Sequence, residues 1–393
     1  MGNVVVGYAG YLGKTFWPAN LCVYYPLGGT PAGMVVCSGL LVLGISALVW
    51  RHRAHRHYLV FGWLWYLVTL LPVIGLVQVS GQAMADRYTY VPLLGVFVMI
   101  VWSATAWFQS KSARGAMPAG LAGAVCLACL VATSFQLQYW RNGVELFAHC
   151  VDVTSDNFLA HHNLAVALSA RGHKEEAVVQ DAESLRLYPN NAKGHYNMAM
   201  DLTDLGRVPE AIEHYLEAAR LRLRDAGTRI NVGVLLAQQG KLSEALEQFL
   251  AAVKSEPGNA QGHLNLANAL RQQGQAEVAF GHYRAAIRLA PEWPEALNRF
   301  ACILATDKVA RFRDGATAVR LAEAANRLTA QSHPVFLNTL AAAYAEAGRF
   351  QEAVAAEQLA LEKALDAGQR RLSPQIENCL NLYRAGKPYH EAQ

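Results

Sequence analysis

The stretch His195-Tyr-Asn-Met-Ala-Met-Asp-Leu-Thr-Asp-Leu-Gly206 runs through Arg207-Val-Pro-Glu to Ala211, and its counterpart Arg229-Ile-Asn-Val-Gly-Val-Leu-Leu-Ala-Gln-Gln-Gly240 runs through Lys241-Leu-Ser-Glu to Ala245. The two are 34 residues apart, and the same step extends in both directions. Gly172, Gly206, Gly240 and Gly274 share one position, and Ala177, Ala211, Ala245 and Ala279 another. Leu164, Met198, Val232 and Leu266 keep the step, as do Leu168, Leu202, Leu236 and Leu270. Apolar residues four apart place one face of a helix against a neighbour. The glycine supplies the positive φ of a tight turn into a second helix. The alanine lets the two helices approach, and Pro189, Pro257 and Pro291 stop the second helix before the next copy. In the remaining copy Leu223 stands where the proline would be. One helix pair cannot bury its own apolar face, so stacking of successive pairs must supply the core.

This pattern is similar to the tetratricopeptide repeat. Two degenerate copies follow. One spans about 294–331 with an insertion near Thr306–Gly315, and the next spans 333–366 with Leu340, Tyr344, Gly348 and Ala353 in register. Residues 375–393 are expected to form a capping helix. At the other end, Tyr139–Val153 reads as a lone second helix ahead of Thr154-Ser-Asp-Asn157.

Composition divides the chain at the same place. Residues 1–144 hold eight of its 34 basic residues and one of its 30 acids, Asp86; the remaining 26 basic and 29 acidic residues lie beyond. Four apolar stretches, about 30–50, 58–79, 90–108 and 117–137, each approach the roughly 20 residues a helix needs to cross a bilayer. The expected architecture is therefore all-α: multi-pass transmembrane helices over 1–138, then a tetratricopeptide-repeat α-solenoid over 139–393. Arg51-His-Arg-Ala-His-Arg-His57 and Gln109-Ser-Lys-Ser-Ala-Arg-Gly115 are the basic loops. By the positive-inside rule they face the cytoplasm, and the repeats face the periplasm or an organelle lumen. The histidines of the first loop alternate with arginines and read as a topology signal, not a metal site. Residues 1–29, rich in aromatics, read as an external membrane-surface element, with a fifth span as the alternative. No cleavable leader or myristoylation signal is evident.

The seven cysteines are irregularly spaced and imply no disulfide framework; Cys126 and Cys129 lie in an apolar run and read as packing residues. No P-loop, nucleophile elbow or zinc signature occurs. Net acidity of the repeat part argues against nucleic acid as a partner.

Two sets of residues are candidates for function. Asp86 and Arg87 interrupt the apolar region at a bilayer edge, where a charged pair must be solvated, paired or used. They fit either a solvated loop or a site for an anionic headgroup, with Arg87 on phosphate and Asp86 orienting it or acting on a sugar hydroxyl. The second set is Asn163, Asn197, Asn231 and Asn265, again 34 apart. In tetratricopeptide repeats this position faces the groove, and each amide offers a donor and an acceptor to a peptide unit. The row fits an extended peptide held by its backbone, or the ordinary habit of the repeat. The neighbouring position carries His162, Tyr196, Ile230 and Leu264, which would lend side-chain preference.

Tyr11-Leu-Gly-Lys-Thr-Phe-Trp-Pro-Ala-Asn20, Gly62-Trp-Leu-Trp65 and Ala85-Asp-Arg-Tyr-Thr-Tyr-Val-Pro92, followed by the repeats, resemble the transmembrane and tetratricopeptide-repeat-containing O-mannosyltransferases and their bacterial relatives. The resemblance implies a glycosyltransferase of the GT-C type. Such enzymes take a sugar from a polyprenyl phosphate, and their repeats present a protein acceptor. It also implies that Lys14 and Arg87 lie by the lipid phosphate and that Asp86 is the carboxylate to test for catalysis. These enzymes carry acidic motifs in an early external loop, and no paired carboxylate precedes residue 145 here. The chain thus matches the later part of such an enzyme. A partner bearing the early half is one expectation; a non-catalytic, membrane-anchored scaffold for protein partners is the other.

Overall fold

The computed structural model describes residues 2–18, 20–26, 30–74, 82–84, 86–110, 116–222 and 225–391; of residues 82–84, 86, 87, 110 and 116 it describes the backbone alone. The chain forms two compact units, 1–214 and 215–393.

The first unit begins with α1 (Gly2–Phe16), α2 (Ala32–Arg51), α3 (His57–Leu70), α4 (Pro92–Ser110) and α5 (Ala116–Leu137). Among the described residues, three segments are long and apolar enough to cross a membrane: Ala32–Arg51, Pro92–Gln109 and Met117–Trp140. The expected second span is shorter than 58–79. Helix α3 stops at Leu70, and a turn over 71–74 follows. Pro72 accounts for this, since its ring displaces the carbonyl four residues back and it has no N–H to donate. At 1.5 Å per residue, α3 is about 21 Å long, short of the ~30 Å hydrocarbon layer. Residues 75–81 and 111–115 lie outside the described residues, so the last five positions of that span and most of the second basic loop do too.

Helix α1 departs from the expected surface element. Its Tyr8, Tyr11 and Leu12 are buried in a cluster with Trp63, Tyr66, Leu70 and Ile74. Inward rotation is tolerated because the buried hydroxyls find carbonyls. Tyr8 Oη donates to Leu67 O at 2.7 Å, and Tyr66 Oη donates to Tyr8 O at 2.7 Å. Phe16 and Trp17 at the end of this segment stay exposed. Helices α3 and α4 touch backbone to backbone, because Gly62 and Gly95 face each other and a methyl on either would collide with the other's carbonyl oxygen.

The segment after α1 ties the apolar helices to the repeats. Tyr25–Pro26 pairs antiparallel with Gln82–Met84. Cys22 packs in one buried cluster with Cys150 and Ala160. Asn157 caps α7 (Phe158–Ser169), its Oδ1 accepting from Ala160 N at 3.0 Å, while its Nδ2 donates to Tyr24 O at 3.0 Å. The expected lone helix over 139–153 divides at Arg141, because Asn142 caps a fresh helix, α6 (Gly143–Val153). The repeats of this unit pair α7 with α8 (Lys174–Leu187) and α9 (Ala192–Asp204) with α10 (Val208–Leu221), the last crossing into the second unit. The turn glycines behave as their spacing requires: at Gly172, φ is +84°, and His173 N donates back to Leu168 O at 3.1 Å, closing the helix end.

The second unit stacks α11 (Ala226–Gln238) and α12 (Leu242–Ser255), α13 (Ala260–Gln272) and α14 (Ala276–Leu289), α15 (Pro294–Thr306) and α16 (Gly315–Leu328), and α17 (Pro334–Glu346) and α18 (Phe350–Asp366). The insertion is a short turn over 307–314, ended by Asp314, whose side chain accepts from Thr317 N at 3.0 Å. Ala245, Ala279 and Ala353 are wholly buried, as close helix approach demands. The last helix, α19 (Ser373–Arg384), packs Cys379 and Tyr383 on Ala341, Ala345 and Ala353. The capping helix is thus shorter than 375–393: Gly386, with φ +68°, turns the chain, and 387–391 run non-helical back over the unit.

Candidate functional site

Two of the motifs noted in the sequence meet in one cavity of about 820 Å³ within the first unit. Tyr11, Lys14 and Thr15 come from α1, Thr89 and Tyr90 from the turn before α4, Thr133 and Gln136 from the far end of α5, and Trp140 from the 3-10 turn that follows it. Leu93, Phe97 and Leu137 complete an apolar wall. Among the described lining residues, Lys14 carries the only charge. Its Nζ lies 3.4 Å from the centroid of the Tyr25 ring, a cation–π contact that holds the ammonium at the rim. A mostly apolar cleft with one cation and a few hydroxyls suits an amphiphile with an anionic head. The side chains of Asp86 and Arg87 lie outside the described residues; their backbone forms the 3-10 turn Asp86–Thr89 that leads to Thr89 and Tyr90.

The asparagine row divides between the units, with Asn163 and Asn197 in the first and Asn231 and Asn265 in the second. All four are half-buried. Asn163 Nδ2 donates to Leu159 O, one turn back in its own helix, at 2.8 Å, which leaves its oxygen for a ligand. Asn265 Oδ1 accepts from Gln261 Nε2 at 3.3 Å. The neighbouring position differs from its expected role. His162 is buried, its Nδ1 3.5 Å from Asp181 Oδ1 on α8, so the ring fills the space between paired helices. Burial raises the Asp181 carboxyl above its ordinary range, with His162 opposing the rise. Tyr196 is half-buried.

The same two positions carry a second polar pair that the sequence reading missed. Asn338 Nδ2 donates at 2.7 Å to Glu357 Oε1, and Glu357 is wholly buried. Desolvation drives its carboxyl up to about 8, opposed by the Asn338 hydrogen bond. The signal was available in the 19-residue offset, since Ile230–Phe249 and Leu264–Tyr283 are apolar or aromatic at the same places. Histidine pairs also recur two repeats apart. His195 Nε2 donates to Pro189 O at 3.0 Å, which makes its Nδ1 the acceptor for His214 Nδ1–H at 2.9 Å. His263, Pro257 and His282 repeat the arrangement. Burial, then the partner ring, lowers the pKa of His214 and His282.

Tetratricopeptide-repeat family profiles match residues 161–188, 196–255, 233–294 and 334–356. The chain is 25% identical over 188 residues to the mouse protein O-mannosyl-transferase TMTC1, a match covering 44% of this chain and 20% of that protein. It is 24% identical over 186 residues to Drosophila melanogaster Tmtc3, covering 43% and 20%. The chain thus spans about a fifth of the length of the curated relatives it matches. Among solved structures, Pseudomonas aeruginosa pilF aligns with a TM-score of 0.45 at 20% identity, covering 59% of this chain and 98% of that one. YrrB, described as a tetratricopeptide-repeat protein with an unusual peptide-binding site, aligns with a TM-score of 0.37 at 22% identity, covering 50% and 96%. The repeat part of the chain is a tetratricopeptide-repeat array, and the sequence similarity to the TMTC O-mannosyltransferases covers less than half of the chain.

Proposed function

We propose that this chain is a membrane-anchored tetratricopeptide-repeat protein that forms part of, or derives from, a polyprenyl-phosphate-sugar-dependent protein O-glycosyltransferase. Residues 1–138 are the membrane part, with 51–57 and 109–115 cytoplasmic, and residues 139–393 bind a protein acceptor on the opposite side. The observation that carries this reading is the junction at Tyr24. The segment that supplies Cys22 and Val23 to the cavity wall is hydrogen-bonded through Tyr24 O to Asn157, the cap of the first repeat helix. The first repeat helix is thereby joined directly to the segment that lines the cavity, not held on a loose tether.

In this reading Lys14 holds the lipid phosphate, with Arg87 beside it. The test is binding of a fluorescent polyprenyl phosphate and the matching polyprenol to the detergent-solubilised chain. Wild type should prefer the phosphate, and Lys14→Gln should lower that preference about tenfold. Equal binding of phosphate and alcohol by the wild type would refute the site.

Residues 1–144 hold a single carboxylate, Asp86, and no paired acidic motif, and glycosyl transfer generally uses a carboxylate to activate the acceptor hydroxyl. This favours binding without turnover by this chain alone, either beside a separate catalytic half or as a scaffold. Transfer of sugar to an acceptor by the purified chain would refute that. Asp86→Asn would then be the first variant to make, with an expected loss of roughly a hundredfold if Asp86 is the base.

A further inference from the structure

Residues 387–391 leave α19 and lie across the C-terminal ends of three first helices of successive repeats. Arg271 is in the last turn of α13, Thr306 is the last residue of α15, and Glu346 is the last residue of α17. Each is engaged by this segment. Tyr389 packs on the cluster of Ala341, Ala345 and Tyr383. His390 Nε2 donates to Glu346 Oε2 at 2.7 Å. Glu391 N donates to Thr306 O at 2.8 Å, and Glu391 Oε2 accepts from Arg271 Nη2 at 2.5 Å. The receiving groups are held from behind: Arg313 Nε donates to Glu346 Oε1 at 2.9 Å, Arg313 Nη1 donates to Asp307 O at 2.8 Å, and Arg271 Nε lies 3.8 Å from Asp307 Oδ2.

The contacts have the chemistry of peptide capture. The carbonyl of Thr306 is one of the acceptors a helix end leaves open, and a main-chain N–H takes it. A carboxylate at the negative ends of these helices is disfavoured by their dipoles, and Arg271 reverses that preference at one point. The surface therefore selects an order: an aromatic, then a donor or cation facing Glu346, then an acid facing Arg271. We infer that the ends of α13, α15 and α17 form a docking site for an extended peptide with consecutive aromatic, basic and acidic side chains, and that Tyr389-His390-Glu391 is its resident, tethered occupant. A partner segment of the same order would have to displace it. This site uses none of the asparagine row and does not depend on the glycosyltransferase reading.

The test uses the full chain in detergent and a variant lacking 387–393, with the fluorescent, amidated peptide Gly-Lys-Pro-Tyr-His-Glu that copies residues 386–391. In the full chain the tethered copy competes at an effective concentration in the millimolar range. The shortened chain should therefore bind the peptide at least tenfold more tightly than the full chain. Arg271→Ala in the shortened chain should weaken binding about tenfold. A peptide with Lys in place of its Glu should bind Arg271→Glu better than wild-type Arg271. Equal binding by full and shortened chains, or none by a shortened chain with unchanged circular dichroism, would overturn the inference. If shortening unfolds the protein, Glu391→Lys in the full-length chain takes its place and must gain binding of the wild-type peptide; failure to gain it overturns the inference equally.

Discussion

Replacing Glu357 with glutamine should change how stability depends on pH while leaving the repeat packing in place. The carboxyl is wholly buried, receives one hydrogen bond from Asn338, and is pushed from 4.5 up to about 8. Below pH 4.5 the carboxyl is protonated whether the chain is folded or not. Between 4.5 and 8 the unfolded chain releases the proton and the fold retains it, so stability falls as pH rises and levels off above 8. At 1.36 kcal/mol per pH unit that interval amounts to on the order of 5 kcal/mol. The other titratable groups beside it stay neutral there: burial raises the Cys379 thiol to about 11, and it raises the Tyr383 hydroxyl as well. Glutamine preserves the oxygen facing Asn338 and cannot titrate. Near pH 5 the variant should match the wild type within about 1 kcal/mol, as for a volume-conserving change. Near pH 9 it should be the more stable, by on the order of 10 °C in melting temperature. Thermal melts of both proteins at pH 5, 7 and 9, followed by circular dichroism, measure this. Melting curves that stay parallel from pH 5 to 9 would show that Glu357 is not the buried acid described.

Gly62→Ala should separate α3 from α4 at a cost of about 1–3 kcal/mol, read as a lower melting temperature in detergent. Gly44→Ala in α2, where an added methyl meets nothing, is the matched control and should not lower it. Lys174 Nζ lies 2.8 Å from Asp201 and 3.0 Å from Asp204, and Asp201 is buried. Lys174→Met should therefore cost about 3–5 kcal/mol in denaturant titrations, and adding Asp201→Leu should recover most of it. Replacing all four asparagines of the row by alanine should weaken a groove-bound protein segment by roughly 2–6 kcal/mol. Unchanged affinity in a folded quadruple variant would place partners elsewhere.

The 34-residue step determined the helix pairs, their turns and their order, because each of those features is local. Gly172 must take positive φ whatever surrounds it, and Ala177 must be small because the partner helix is only a few residues away in the chain. The scarcity of charge before residue 145 likewise marked the apolar helices, though Pro72 shortened one of them. The inward face of α1 was decided by tertiary contact. A tyrosine suits an interface or a core equally, and only the carbonyls of Leu67 and Tyr8 made the core available to Tyr8 and Tyr66. The cavity around Lys14 needed α1, α4 and α5 brought together from residues more than a hundred apart in the chain. The return of 387–391 is the clearest case. Arg271 and Glu391 are 120 residues apart, and periodicity reports only which face a residue occupies on its own helix. Which distant group meets that face depends on the stacking, and the stacking exists only once every pair has folded against its neighbours.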